Sequence, residues 1–311
     1  MTPQQRSALN RAKRVAANLP GIRGVDFGIV YRDGRARPRR VGIRFHVARK
    51  LPLNELSGNN LLPKRIGGYI CDVIEAAYEP HGVRPSESFD PLQPGISIGN
   101  LIRQSTGSLG AFVRDAQSGR VCMLSNWHVL CGSTAAAIGD PISQPGPRHL
   151  GANPARPVAR VLRWADLAHG LDAALAAIDQ NVATNDLPLG LTSGAAGIAE
   201  PSVGMRVVKS GVITGVTHAI VDGIEGSYPM NYGAFGDTQR WMDGIRLVID
   251  PAERVDEISL SGDSGAVWIE TATNLAVALH FAGEDGLGPL AEYALAHPMP
   301  RVLESLDARW T

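Results

Sequence analysis

From Gly107 onward the chain is broken into short apolar runs, each closed by glycine, proline or a turn sequence, with no long amphipathic period among them. Residues 107–114, 120–125, 158–163, 173–178, 203–211, 215–221, 244–249, 265–269 and 276–281 each read as a strand. Strands this short can bury their apolar faces only by pairing in series and curling the sheet, so a pair of antiparallel β-barrels is the expected architecture. With 35 glycines and 21 prolines the chain is also a poor candidate for a helical bundle. One stretch departs from this pattern, since Leu290 to Leu306 carries helical spacing and is expected to pack as a helix on a barrel surface.

The N-terminal residues are of a different kind. Thr2 followed by Pro3 is a helix start, and Ala8, Leu9, Ala12, Val15, Ala16 and Leu19 recur at helical spacing until Pro20-Gly21 stops them. Residues 25–31 and 41–47 alternate as strands around the arginine-rich segment 32–40, whose Asp33-Gly34 is a hairpin signal, and residues 68–75 read as a third strand. Leu53 to Leu56 adds a helical turn. A small basic α+β domain over residues 1–80 is therefore expected, then a Pro-rich linker over 81–100 carrying Pro85, Pro91 and Pro94, then a larger domain over 101–311.

Charge separates the two parts as well. Residues 1–50 hold 13 Lys and Arg against Asp26 and Asp33, so the remainder carries 17 basic against 28 acidic residues although the whole chain is neutral. A basic unit of this strength can attract nucleic acid, an anionic membrane or an acidic protein partner, the acidic remainder of the same chain being the simplest, and it can serve a homo-oligomer contact; the scarcity of aromatics between its arginines disfavours base stacking. No apolar run approaches the length of a membrane span, and the first ten residues lack the charged and apolar regions of a signal peptide, so a cytoplasmic, membrane-free protein is expected. Its three cysteines, Cys71, Cys122 and Cys131, suit neither a secreted disulfide framework nor a zinc site, although Cys122 and Cys131 flank His128 and leave a bridge open. No motif calls for a metal or another cofactor.

Chemistry concentrates in three places. Ser261-Gly-Asp-Ser-Gly265 is a tight glycine-bounded turn that can present Ser264 Oγ while the backbone N–H groups of Gly262 and Ser264 converge on one point as oxyanion donors. Upstream, Ser125-Asn-Trp-His128 ends a strand, and Leu171-Asp172 opens the apolar run to Ile178. Serine nucleophiles need a base and a group that fixes the tautomer of that base, and His128 and Asp172 supply both. Asp166 competes with Asp172 for the orienting role, and His149, His169, His218 and His280 compete with His128.

The order His, Asp, Ser and the gaps of 44 and 92 residues resemble the order and the gaps of about 45 and about 93 in chymotrypsin-like serine peptidases. The resemblance covers residues 105–285, through the three motifs just quoted. It implies two antiparallel six-stranded β-barrels of the chymotrypsin type, a Ser264-His128-Asp172 triad and a protein or peptide substrate. Val207 to Thr217 and Pro94 to Asn100 further resemble the intracellular, NAL1-like branch of that family. Paired cysteines and an Ile-Val-Gly-Gly activation terminus are absent, which argues against activation by cleavage. The place of a carboxylate that would select Lys or Arg, six residues before the serine, holds Ile258, although a shift of register would bring Asp256 or Glu257 there. Ala278-Leu-His-Phe-Ala-Gly283 instead resembles the histidine-containing strand of glutamyl endopeptidases, which implies that His280, with Ser259 opposite, binds a Glu, Asp or Gln side chain. Two other readings stay open: a trypsin-fold scaffold of little turnover, and a nucleic-acid-binding protein acting through its basic N-terminal domain.

Overall fold

The computed structural model describes residues 1–19, 21–32, 35–47, 49–51, 61–75, 85–151, 154–250, 252, 257–283 and 293–311. The helical turn expected at Leu53 to Leu56 and the Asp33-Gly34 hairpin tip lie outside these residues. Two units divide the chain, Met1–Gly82 and Val83–Thr311.

In the first unit, helix α1 (Pro3–Ala17) starts on a reciprocal cap, in which Gln5 N–H donates to Thr2 Oγ1 at 3.2 Å and Thr2 N–H to Gln5 Oε1 at 2.6 Å. Strands β1 (Ile22–Arg32), β2 (Arg35–Val47), β3 (Arg65–Ile66) and β4 (Tyr69–Glu75) form one sheet in the order β1-β2-β4-β3. Ala8 and Ala12 of α1 bury against Ile43, Phe45 and Ile66, because only small helix residues let the helix lie close on the sheet. This is the expected α+β arrangement.

The second unit is mostly β. Its first part is an antiparallel sheet of β5 (Ser97–Asn100), β6 (Gly107–Ser108), β7 (Ala111–Asp115), β8 (Val121–Ser125), β9 (Pro141–Ser143), β10 (Pro157–Trp164), β11 (Ala174–Ile178) and β18 (Ala308–Trp310), in the order β18-β7-β8-β11-β10-β9-β5-β6. Only Leu109 and Gly110 separate β6 at one end of this sheet from β7 near the other, so the sheet rolls up on itself with β6 and β7 as one bent strand. Counted that way the roll has the six strands expected, with β18 added outside. The second part is a closed six-stranded barrel of β12 (Arg206–Gly211), β13 (Gly215–Asn231), β14 (Gln239–Ile249), β17 (Tyr293–Pro298), β16 (Ala276–Gly283) and β15 (Val267–Glu270).

Three local expectations change. Residues 293–298, expected as helix, are the strand that closes the barrel between β14 and β16, and only Met299–Ser305 forms a helix, α3. A strand buried on both faces loses its alternation, so an Ala- and Leu-rich run carries no period-2 signal. Residues 85–100, expected as linker, belong to the second unit: Leu92, Ile96 and Ile98 are fully buried, and Leu92 exchanges backbone hydrogen bonds with Ala183 and Asn185. β13 continues ten residues past Val221, pairing with β14 as a long hairpin. Gly223, Gly226 and Pro229 hide that extension, since such residues weaken a strand pattern.

Candidate active site

His128 lies in the four-residue helix α2 (Trp127–Leu130), which begins directly after β8. Strand pairing fixes β8 beside β11, and Asp172 stands two residues before β11. The two side chains therefore meet: His128 Nδ1 is 2.5 Å from Asp172 Oδ2, and His128 N–H donates to Asp172 Oδ1 at 3.1 Å. The carboxylate holds both the ring and the main chain of the histidine. Asn126 Nδ2 donates to the Asp172 carbonyl at 2.7 Å and ties the two segments together again. Asp172 is 0 % exposed, and burial alone would raise its pKa; the charge and hydrogen bond of His128 and the hydrogen bond of Tyr232 outweigh burial and hold it below the usual carboxylate range.

Asp166 does other work. It is exposed, and its Oδ1 accepts from Ala168 N–H at 2.9 Å as the cap of a short 3-10 turn. Of the competing histidines, His149 bonds Ser97 Oγ at 2.8 Å, and His169 is exposed in the turn that Asp166 caps.

The serine turn approaches from the second barrel. Gly262 (φ +114°) and Gly265 (φ +97°) take backbone conformations that favour glycine, and a Cβ on Gly265 would stand 2.1 Å from Ser125 Oγ. β6 clamps the turn, with Ser108 N–H donating to the Ser264 carbonyl at 2.8 Å and Ser108 Oγ to the Gly262 carbonyl at 3.0 Å. The N–H groups of Gly262 and Ser264 have no partner among the described residues, as oxyanion donors require. Ser264 Oγ turns toward the Phe281 carbonyl at 3.4 Å and makes no hydrogen bond to His128. His128, Gly262 and Ser264 line one cleft of about 230 Å³, with Thr106, Arg148 and Phe235 among its other walls.

Beneath the turn, Asp263 is buried with a cation. Lys209 Nζ lies 3.2 Å from Asp263 Oδ2 and 2.7 Å from Thr214 Oγ1, and both charged side chains are 0 % exposed. Asp263 also accepts from the N–H groups of Ile213, Thr214 and Leu260. Burial opposes its ionisation, but the charge of Lys209 and the hydrogen bonds of the Thr214 hydroxyl and the Ile213 N–H keep it below the normal range. The carboxylate beside the candidate nucleophile is thus anchored by an internal lysine.

This is the fold of the chymotrypsin-like serine proteases. The chain superposes on the Nocardiopsis protease NAPase over 71 % of its own length and 99 % of that chain, with TM-score 0.52 and 16 % identity. Thermobifida fusca protease A matches 71 % of this chain and 99 % of its own, with TM-score 0.50 and 16 % identity. A glutamic acid specific serine protease, described as using a histidine triad in substrate binding, matches 71 % and 100 %, with TM-score 0.50 and 19 % identity. No protein-family model matches the sequence, and no curated protein does.

His280 and Ser259 sit behind the cleft and are absent from its described walls. Both are buried, and among the described residues His280 Nδ1 and Ser259 Oγ have no hydrogen-bond partner. Their chain neighbours Phe281 and Ala282, and Ser261 and Gly262, do line it. Burial, with the nearby charge of Lys209, lowers the His280 pKa to about 3, so its ring is neutral.

Three residues escaped the sequence reading. Tyr232 Oη donates to Asp172 Oδ2 at 2.7 Å, His297 Nε2 accepts from Asp172 N–H at 3.0 Å, and Lys209 anchors Asp263. For Lys209 a signal existed, a lone cation in the apolar run Val207-Val-Lys209 of a chain whose Asp263 adjoins the serine. Cys71, Cys122 and Cys131 are free, so no bridge flanks His128.

Proposed function

We propose that the chain is a serine endopeptidase. Ser264 Oγ attacks the scissile carbonyl, His128 Nε2 takes its proton, and the N–H groups of Gly262 and Ser264 receive the oxyanion. His128 then protonates the leaving amine, and water releases the acyl group by the same steps. The observation that carries this reading is the doubly bonded His128–Asp172 pair, oriented in the cleft that holds Ser264. Ser264 Oγ has to turn from the Phe281 carbonyl toward His128, and catalytic hydrogen bonds are commonly long or unformed in free sites.

The finer reading concerns substrate and setting. His280 Nδ1 and Ser259 Oγ are buried polar atoms with no partner among the described residues, in residues whose chain neighbours line the cleft, and buried polar groups of this kind suit a polar substrate side chain. A preference for Gln, Glu or Asp before the scissile bond follows, and a neutral imidazole favours the amide. Three free cysteines fit a reducing, cytoplasmic compartment. Membership of the NAL1-like branch fits such a setting, and the basic N-terminal unit is assigned to an acidic protein partner. A peptide-library cleavage profile of wild type beside Ser264→Ala tests this. Cleavage after amide or acidic residues, abolished in the variant, is expected; cleavage only after Lys and Arg overturns the specificity, and no difference from the variant overturns the peptidase.

The turned-away Ser264 side chain favours one alternative, a trypsin-fold scaffold without turnover. An inert wild type whose cleft still binds peptide is its signature.

A further inference from the structure

We infer that Tyr232, at the tip of the β13–β14 hairpin, is a positioning residue for the His128–Asp172 pair, so that the hairpin lining the substrate cleft also sets the base. The inference rests on the peptidase reading above for its kinetic consequence, though not for its geometry. Asp172 Oδ2 accepts two hydrogen bonds, from His128 Nδ1 and from Tyr232 Oη, while Oδ1 accepts His128 N–H. With the carboxylate fully buried, the phenol is, among the described residues, one of three donors that satisfy it and the only one from outside the histidine itself. Tyr232 is itself 5 % exposed.

The tip is held where it must be. Trp127, Tyr232 and Phe235 pack edge-on or tilted with ring centroids 6.1–6.2 Å apart, and Phe235 lies 5.6 Å from the His128 ring. Backbone bonds fasten it to the segment after α2: Thr134 N–H donates to the Phe235 carbonyl at 3.0 Å, and Thr134 Oγ1 to the Gly236 carbonyl at 3.3 Å. Met230, Asn231 and Phe235 meanwhile face the cleft. One element therefore touches both the substrate space and the orienting carboxylate.

Loss of the phenolic hydroxyl leaves Oδ2 free to swing, which loosens the imidazole and slows proton transfer.

Tyr232→Phe keeps the ring and its packing while removing only the hydroxyl. With the full-length chain, kcat is expected to fall on the order of tenfold with KM unchanged, far short of the ~10^4 lost when an orienting aspartate is neutralised. In parallel, proton NMR of the His128 Nδ1–H resonance in wild type and variant reads the same clamp without turnover, and a shifted or exchange-broadened resonance is expected at an unchanged melting temperature. An Nδ1–H resonance unchanged in position and width would overturn the inference, whatever the activity. If neither protein cleaves peptide while the resonance still changes, the clamp stands and the peptidase reading fails.

Discussion

Two carboxylates of the second unit, Asp172 and Asp263, are both fully buried and differently partnered. Asp172 faces His128, Tyr232 and the N-terminal end of α2, groups that are neutral or can change charge. Asp263 faces Lys209 and three backbone N–H groups, a fixed set of donors. A buried charge matched by a cation has no reason to exchange a proton, whereas one matched by an imidazole stabilises whichever moment the imidazole is charged. The first arrangement builds a rigid turn and the second suits the proposed base. Identical side chains at identical burial thus take opposite roles, and partner chemistry decides which.

Changing each carboxylate's surroundings separates the two roles. Asp172→Asn should lower kcat by about 10^4 while shifting the melting temperature little, because the amide can keep the packing but offers the wrong tautomer to His128. Lys209→Met should do the reverse at first sight, costing about 3–5 kcal/mol of stability by leaving Asp263 buried and unpaired. Chemical denaturation of that variant beside the double variant Lys209→Met, Asp263→Asn checks it, since removing both charges should restore most of the loss. Equal destabilisation in single and double variants would mean that the lysine acts through packing alone.

Acid gives a smaller effect that sharpens the contrast. His280 and His297 are held neutral in the fold, at about 3 and about 4, against an unfolded value near 6.5. Between pH 6.5 and about 4 the unfolded chain therefore binds protons that the folded barrel refuses, and stability falls as pH falls, by a few kcal/mol in order of magnitude. Thermal melts across that range should show it, and a flat profile would mean the two rings are protonated in the fold. The smallest effect is expected at Asp166→Asn, which keeps its capping role and should leave kcat within about twofold, since asparagine caps as well as aspartate.

Much of this was legible before the coordinates. The turn at Ser261–Gly265, the strand ending at His128 and the apolar run after Asp172 are local patterns, and the fold brings His128, Ser264 and Gly262 to one cleft with Asp172 behind them. What the sequence hid are partners that come from far away along the chain. Tyr232 lies in a polar, glycine-interrupted hairpin 60 residues from Asp172, and His297 sits in a strand so buried that its pattern reads as a helix. Lys209 looks like a surface cation until the barrel closes around it. Such pairings depend on how strands are ordered in space, which short-range periodicity does not encode.

The account turns on Ser264 being a nucleophile made reactive by His128. Incubation of the wild-type protein, Ser264→Ala and His128→Ala with a fluorophosphonate probe, followed by mass spectrometry of the labelled peptide, tests this directly. One probe per chain on Ser264 in the wild type, none in Ser264→Ala and slow labelling in His128→Ala is the predicted result. A folded wild type that stays unlabelled, or labelling that persists without Ser264, would contradict it.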